Sequence, residues 1–108
     1  MESEKRRTPR YSFIADAEVV ETGSGAKLSA RVSEFGLTGC YLDLAHPLPV
    51  GTAMLVKIFS GSDFFEAPGI VVYAHLNLGM GVKFHDVKPF FQNVLKKWVL
   101  AAMVGKSE

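Results

Sequence analysis

From Arg10 onward, apolar and polar residues alternate with period two in short runs rich in β-branched and aromatic side chains, and glycine or proline separates one run from the next. A strand points successive side chains to opposite faces, so such runs bury one face and wet the other. Short runs with turn signals between them constrain the chain to a small antiparallel all-β domain. At 108 residues it has length for one core and none for a second beside it.

The runs predict about six strands. The first spans Tyr11 to Thr22, and Gly23-Ser24-Gly25 turns the chain into the second, Lys27 to Ser33. Leu28, Ala30 and Val32 share one face of that strand, with Ser29, Arg31 and Ser33 on the other. A glycine-punctuated bend, Glu34 to Gly39, leads to a third strand over Cys40 to Leu44. Two prolines in His46 to Gly51 forbid regular pairing there, and a fourth strand follows at Ala53 to Phe59. The fifth spans Phe64 to His75, where Pro68-Gly69 predicts a bulge or an edge. The sixth, Met80 to His85, alternates cleanly, with Met80, Val82 and Phe84 inward.

At Pro89 the period changes. Phe91, Val94, Leu95, Trp98 and Ala102 recur at helical spacing opposite Gln92, Asn93 and Lys96, the pattern of an amphipathic helix that starts on proline and closes the domain. Its last turns, Val99 to Val104, are apolar nearly all round and leave room for a protein partner or a homodimer. The organisation expected is a flexible basic segment over residues 1–10, a β-barrel over 11–87 and a helix over 88–104.

Composition narrows the function. A net charge of +1 provides no broad field for gripping duplex DNA, and no apolar run approaches the roughly 20 residues that span a bilayer. Cys40 is the single cysteine, and the polar start Met1 to Lys5 carries no apolar signal core, which together give the expectation of a cytoplasmic protein. His46, His75 and His85 stand at no metal-ligand spacing, and neither a phosphate loop nor a nucleophile elbow occurs, so neither a metal nor a catalytic residue is assigned.

Positive charge clusters only around Arg6-Arg7-Thr8-Pro9-Arg10. Pro9 disfavours helix at Thr8, so these arginines precede the first strand on an extended or turning path. An arginine fork can hold a phosphate or a guanine edge at two points and can stack on a base, so the cluster reads as a grip for a planar anion. Wider positive charge and interleaved aromatics, which a nucleic-acid arm would need, are missing.

An RxxxR pattern at the start of an all-β domain, followed by a (D/N)xSxxG bend before the third strand, resembles the PilZ family. Arg6 and Arg10 fill the first pattern. Glu34-Phe35-Gly36-Leu37-Thr38-Gly39 approaches the second, and Cys40-Tyr41-Leu42-Asp43 and Gly79-Met80-Gly81-Val82-Lys83-Phe84 are similar to strands of the family. The resemblance covers residues 5 to 100 and implies a six-stranded antiparallel PilZ-type β-barrel with a C-terminal amphipathic helix. It further implies a bacterial receptor for cyclic di-GMP that passes the signal to an unidentified protein effector. In that reading Arg6 and Arg10 clamp the ligand with Arg7 assisting, Glu34 accepts hydrogen bonds from guanine N–H groups, and Gly39 holds the turn.

The bend departs from the family pattern twice. Glu34 extends the acidic position by one methylene, and Gly36 stands where the pattern has serine. A lost hydrogen bond to a charged group costs about 1.5–3 kcal/mol, roughly ten- to a hundredfold in affinity, part of which a backbone N–H freed at Gly36 could recover. A marked gain on restoring serine at 36, from undetectable to measurable binding, would favour a divergent module that has lost the nucleotide. Ser33 to Gly36 also spells SxxG, but that register puts Arg31 at the acidic position and lengthens the approach to the third strand. The alternative function is a divergent PilZ-like interaction module that does not bind the nucleotide.

Overall fold

The computed structural model describes residues 9–106, with side chains through residue 104. The elements are β1 (Tyr11–Glu21), β2 (Lys27–Phe35), β3 (Gly39–Asp43), β4 (Ala53–Ser60), β5 (Asp63–His75), β6 (Gly79–Phe84) and α1 (Pro89–Lys106). All strand pairs are antiparallel, and the order β1-β2-β3-β6-β5-β4 closes on itself because β4 pairs back onto β1. Closure leaves no edge strand to be protected.

Alternation fills the barrel. Val19, Val32, Leu42, Val56, Ile58, Phe65, Val71, Met80 and Val82 are all at most 1% exposed, drawn from every strand. Each such side chain contributes about 1.5–3 kcal/mol of burial. The helix covers one end with Leu95, Trp98 and Val99. Trp98 lies 5.1 Å from Phe13, 6.0 Å from Phe35 and 6.2 Å from Phe65, ring centre to ring centre. Its indole N–H donates to Asp63 Oδ2 at 3.2 Å, and Lys97 Nζ stands 3.1 Å from the same oxygen. The start of β5 thereby fastens the helix.

The sequence-derived boundaries shift by a residue or two, and the larger differences lie in where the strands bulge. β5 runs unbroken through Pro68, which pairs with Leu55. Pro68 precedes the start of the β5–β6 register at Gly69↔Phe84, so its missing donor interrupts no ladder between those strands. The irregularity in β5 falls instead between Val71 and Tyr73, whose partners on β6 are the consecutive residues Val82 and Gly81. A second lies in β2, which runs two residues past its expected end. There Val32 pairs with Leu42 and Glu34 with Tyr41, so Ser33 is an extra residue.

Candidate ligand-binding site

The two bulges build an outer surface. Strict alternation would turn Glu34 inward with Val32 and Tyr73 inward with Val71. One extra residue in each strand reverses the phase beyond it. Phe35 is thereby fully buried and Glu34 faces out, while exposed Val72 absorbs the slip that puts Tyr73 outside. Glu34, Tyr41, Gly81 and Tyr73 then form one row across β2, β3, β6 and β5.

Glycines form the floor beneath the rings. A Cβ on Gly81 would meet Cζ, Cε2 and Cε1 of Tyr73, so that ring lies flat over the glycine, and one on Gly79 would meet the Leu42 carbonyl oxygen and then Tyr41 Cε2 at 2.8 Å. The two rings stand 6.1 Å apart with planes inclined by 29°, within the range of offset stacking. His75 continues the strip, its Nδ1 3.1 Å from Tyr41 Oη.

Arg10 lies alongside this row. Its Nη1 donates to Tyr73 Oη at 3.0 Å and stands 3.8 Å from Glu34 Oε1. The Arg10 side chain is 17% exposed and Glu34 43%, so the pair is partly screened and the guanidinium is held mainly by packing and the tyrosine. Burial, helped by Tyr73, Asp43 and Glu34, raises the Tyr41 pKa, and its phenol stays protonated at neutral pH. Cys40, behind the row in the core, is pushed up by burial to about 12 and serves as an apolar filler. Among the described residues no cluster of His, Cys, Asp and Glu could hold a metal ion.

The bend is held by backbone hydrogen bonds and close backbone approach. Gly36 N–H donates to Gly39 C=O at 2.9 Å, and Phe84 N–H to Thr38 C=O at 2.9 Å, which ties the turn to β6. A Cβ at Gly36 would sit 2.5 Å from the Pro9 carbonyl oxygen, so the missing side chain is what seats the segment leading to Arg10. A gain from serine at 36 would therefore have to overcome a steric obstacle in this arrangement. A Cβ at Gly39 would lie 2.3 Å from the Val82 carbonyl oxygen, so the absence of a side chain here lets β3 approach β6 closely.

Of the residues expected to form the site, Arg10, Glu34, Gly36 and Gly39 lie together around the bend, and Arg6 and Arg7 lie outside the described residues. Sequence reasoning missed Tyr73 and His75, and took Tyr41 only as strand. Its available signal was the Gly-x-Gly of β6, two outward positions without side chains that leave room for neighbouring rings.

A guanidinium beside a half-buried aromatic row and a carboxylate can hold a flat heterocycle on the ring faces while it contacts an anion. Fold and surface thus define a closed β-barrel domain with a candidate ligand surface on its outer wall. The PilZ domain family model matches residues 4–101, and the chain belongs to that family, one of non-catalytic receptors for cyclic di-GMP.

Solved structures agree on the fold. The PilZ domain of YcgR from Escherichia coli with c-di-GMP superposes with a TM-score of 0.76 at 14% identity, covering 94% of each chain. The Bacillus subtilis inhibitor of motility MotI/DgrA gives 0.78 at 12% identity over 95% of this chain, which spans only 53% of that protein. The PilZ domain of CeSA from a cellulose-synthesizing bacterium gives 0.68 at 13% identity, covering 86% of this chain and 96% of that one. None of the curated proteins matches the chain. No helix among the described residues is long and apolar enough to cross a membrane.

Proposed function

We propose that this chain is a cyclic di-GMP receptor whose occupied state is read by a partner protein. The observation that carries the reading is the position of Arg10, set on the outer wall between Glu34 and the Tyr73–Tyr41 row. Arg10 contacts a phosphate or a guanine edge, Arg6 of the RxxxR pattern shares the clamp with Arg7 assisting, and Glu34 accepts from guanine N–H groups. Tyr73 and Tyr41 offer faces on which a base stacks, a contact worth about 1–3 kcal/mol per base. Gly36 and Gly39 shape the bend that borders the ligand. Calorimetry with cyclic di-GMP tests the reading: saturable heat, with affinity weakened in Arg10→Ala, is expected, and no heat at high micromolar ligand would overturn it.

A second reading has one specific observation behind it. The place of the motif serine is taken by Gly36, and the Pro9 carbonyl fills the adjoining space. A barrel of this kind could act as an interaction module without nucleotide, through its wall or through the exposed Phe90, Leu100 and Met103 of α1. The same titration separates the two.

A further inference from the structure

On the other side of the bend, between Leu37 and α1, lies a groove of about 320 Å³. Its floor is apolar, with Phe84 and Leu95 nearly buried, and Leu37 forms a wall that is 46% exposed. Its volume is at the small end of the roughly 300–1,000 Å³ of ligand sites. Lys83 and Lys96 line it from β6 and from α1. Both are exposed and neither has an ion-pair partner among the described residues, whereas Lys57 and Lys97 are matched by Glu18 and Asp63. The groove's one carboxylate, Asp86, lies beside His85 with Nδ1 at 3.2 Å.

An apolar floor under two unmatched ammonium groups is complementary to an apolar side chain flanked by carboxylates. We propose that this groove docks a short segment of a partner protein in which leucine or phenylalanine is set among aspartates or glutamates. The apolar side chain fills the space over Phe84 and Leu95, and the carboxylates meet Lys83 and Lys96. The groove shares the Gly36–Gly39 bend with the seat of the Arg10 segment, so a docked partner would touch the element that borders the nucleotide site. Docking itself does not depend on the nucleotide, and the proposal goes beyond the receptor reading.

The test is selection of random octapeptides displayed on phage against the full chain without nucleotide, followed by amide-shift titration of the best peptide. Peptides combining an aromatic or leucine with acidic residues are expected, with shifts at Leu37, Lys83, Leu95 and Lys96. The double variant Lys83→Glu/Lys96→Glu should fold normally, since both side chains are exposed, and weaken the selected peptide by about tenfold or more. No enrichment, enrichment of basic peptides, shifts confined to another face, or unchanged affinity in the folded double variant would each overturn the proposal. Calorimetry with cyclic di-GMP on the same preparation reports separately on the receptor reading.

Discussion

Arg10 and Tyr73 are 63 positions apart in sequence, yet the guanidinium Nη1 lies 3.0 Å from the phenol oxygen. The contact spreads the arginine over the barrel wall instead of leaving it to solvent. In the receptor reading, a ligand phosphate or guanine edge then meets a partly ordered group. Arg10→Ala is expected to lower cyclic di-GMP affinity by roughly ten- to a hundredfold, the worth of a charged hydrogen bond of about 1.5–3 kcal/mol. Arg10→Lys should recover little of it, because an ammonium lacks the fork. Calorimetry of both variants checks this.

Tyr73 separates the ring from the hydroxyl. If the ring carries a base, Tyr73→Ala should cost about 1–3 kcal/mol, roughly five- to a hundredfold in affinity. Tyr73→Phe keeps the face and should stay much closer to the parent. Equal losses in the two variants would assign the effect to the Arg10 hydrogen bond alone.

At Gly36 the motif and the packing point in opposite directions. A serine Cβ would have to displace the Pro9 carbonyl, now 2.5 Å from where it would stand. We expect Gly36→Ser to lower stability by about 1–3 kcal/mol, as overpacked sites do, and to weaken rather than restore nucleotide binding. Thermal unfolding and a binding titration decide it, and a gain in affinity at unchanged stability would show that the segment can move aside.

Gly39→Ala is a test of the barrel. The added Cβ would approach the Val82 carbonyl oxygen to 2.3 Å, and backbone there cannot rotate away as a side chain could. A loss of about 1–3 kcal/mol or more is expected. For a domain of this size that corresponds to roughly 4–8 °C in Tm per kcal/mol.

Asp63 predicts a pH dependence. Its hydrogen bonds from Lys97 and then Trp98 hold its pKa below the ordinary 3.8. A lowered folded value means that the stabilisation is fully present above the ordinary value and is lost as pH falls through the folded one. Below pH 4, Trp98 fluorescence should report loosening of α1 before the barrel unfolds, and Asp63→Asn should remove that early step. Coincident loss of fluorescence and of strand signal would contradict it.

Much of the barrel was legible in the chain because alternation is a local property. Val32 could be grouped with Leu28 and Ala30, and Met80 and Val82 placed inside, from their neighbours alone, and Pro89 with the spacing Phe91, Leu95, Trp98 marked the helix. The wall of the site was less legible. Tyr73 shares parity with buried Val71, so periodicity puts it in the core, and Glu34 likewise shares parity with Val32.

The sequence by itself determined the number and kind of elements, the face pattern of the second and sixth strands, and the two motifs that place Arg10 and the Glu34–Gly39 bend at the start of β1 and the end of β2. Only the tertiary structure decided which residues form one surface. A one-residue slip at Ser33 and another at Val72 turn Glu34 and Tyr73 outward, and a slip exists only relative to a paired strand. The role of Gly36 was decided the same way, since the carbonyl that excludes its side chain comes from Pro9, a neighbour that folding alone supplies.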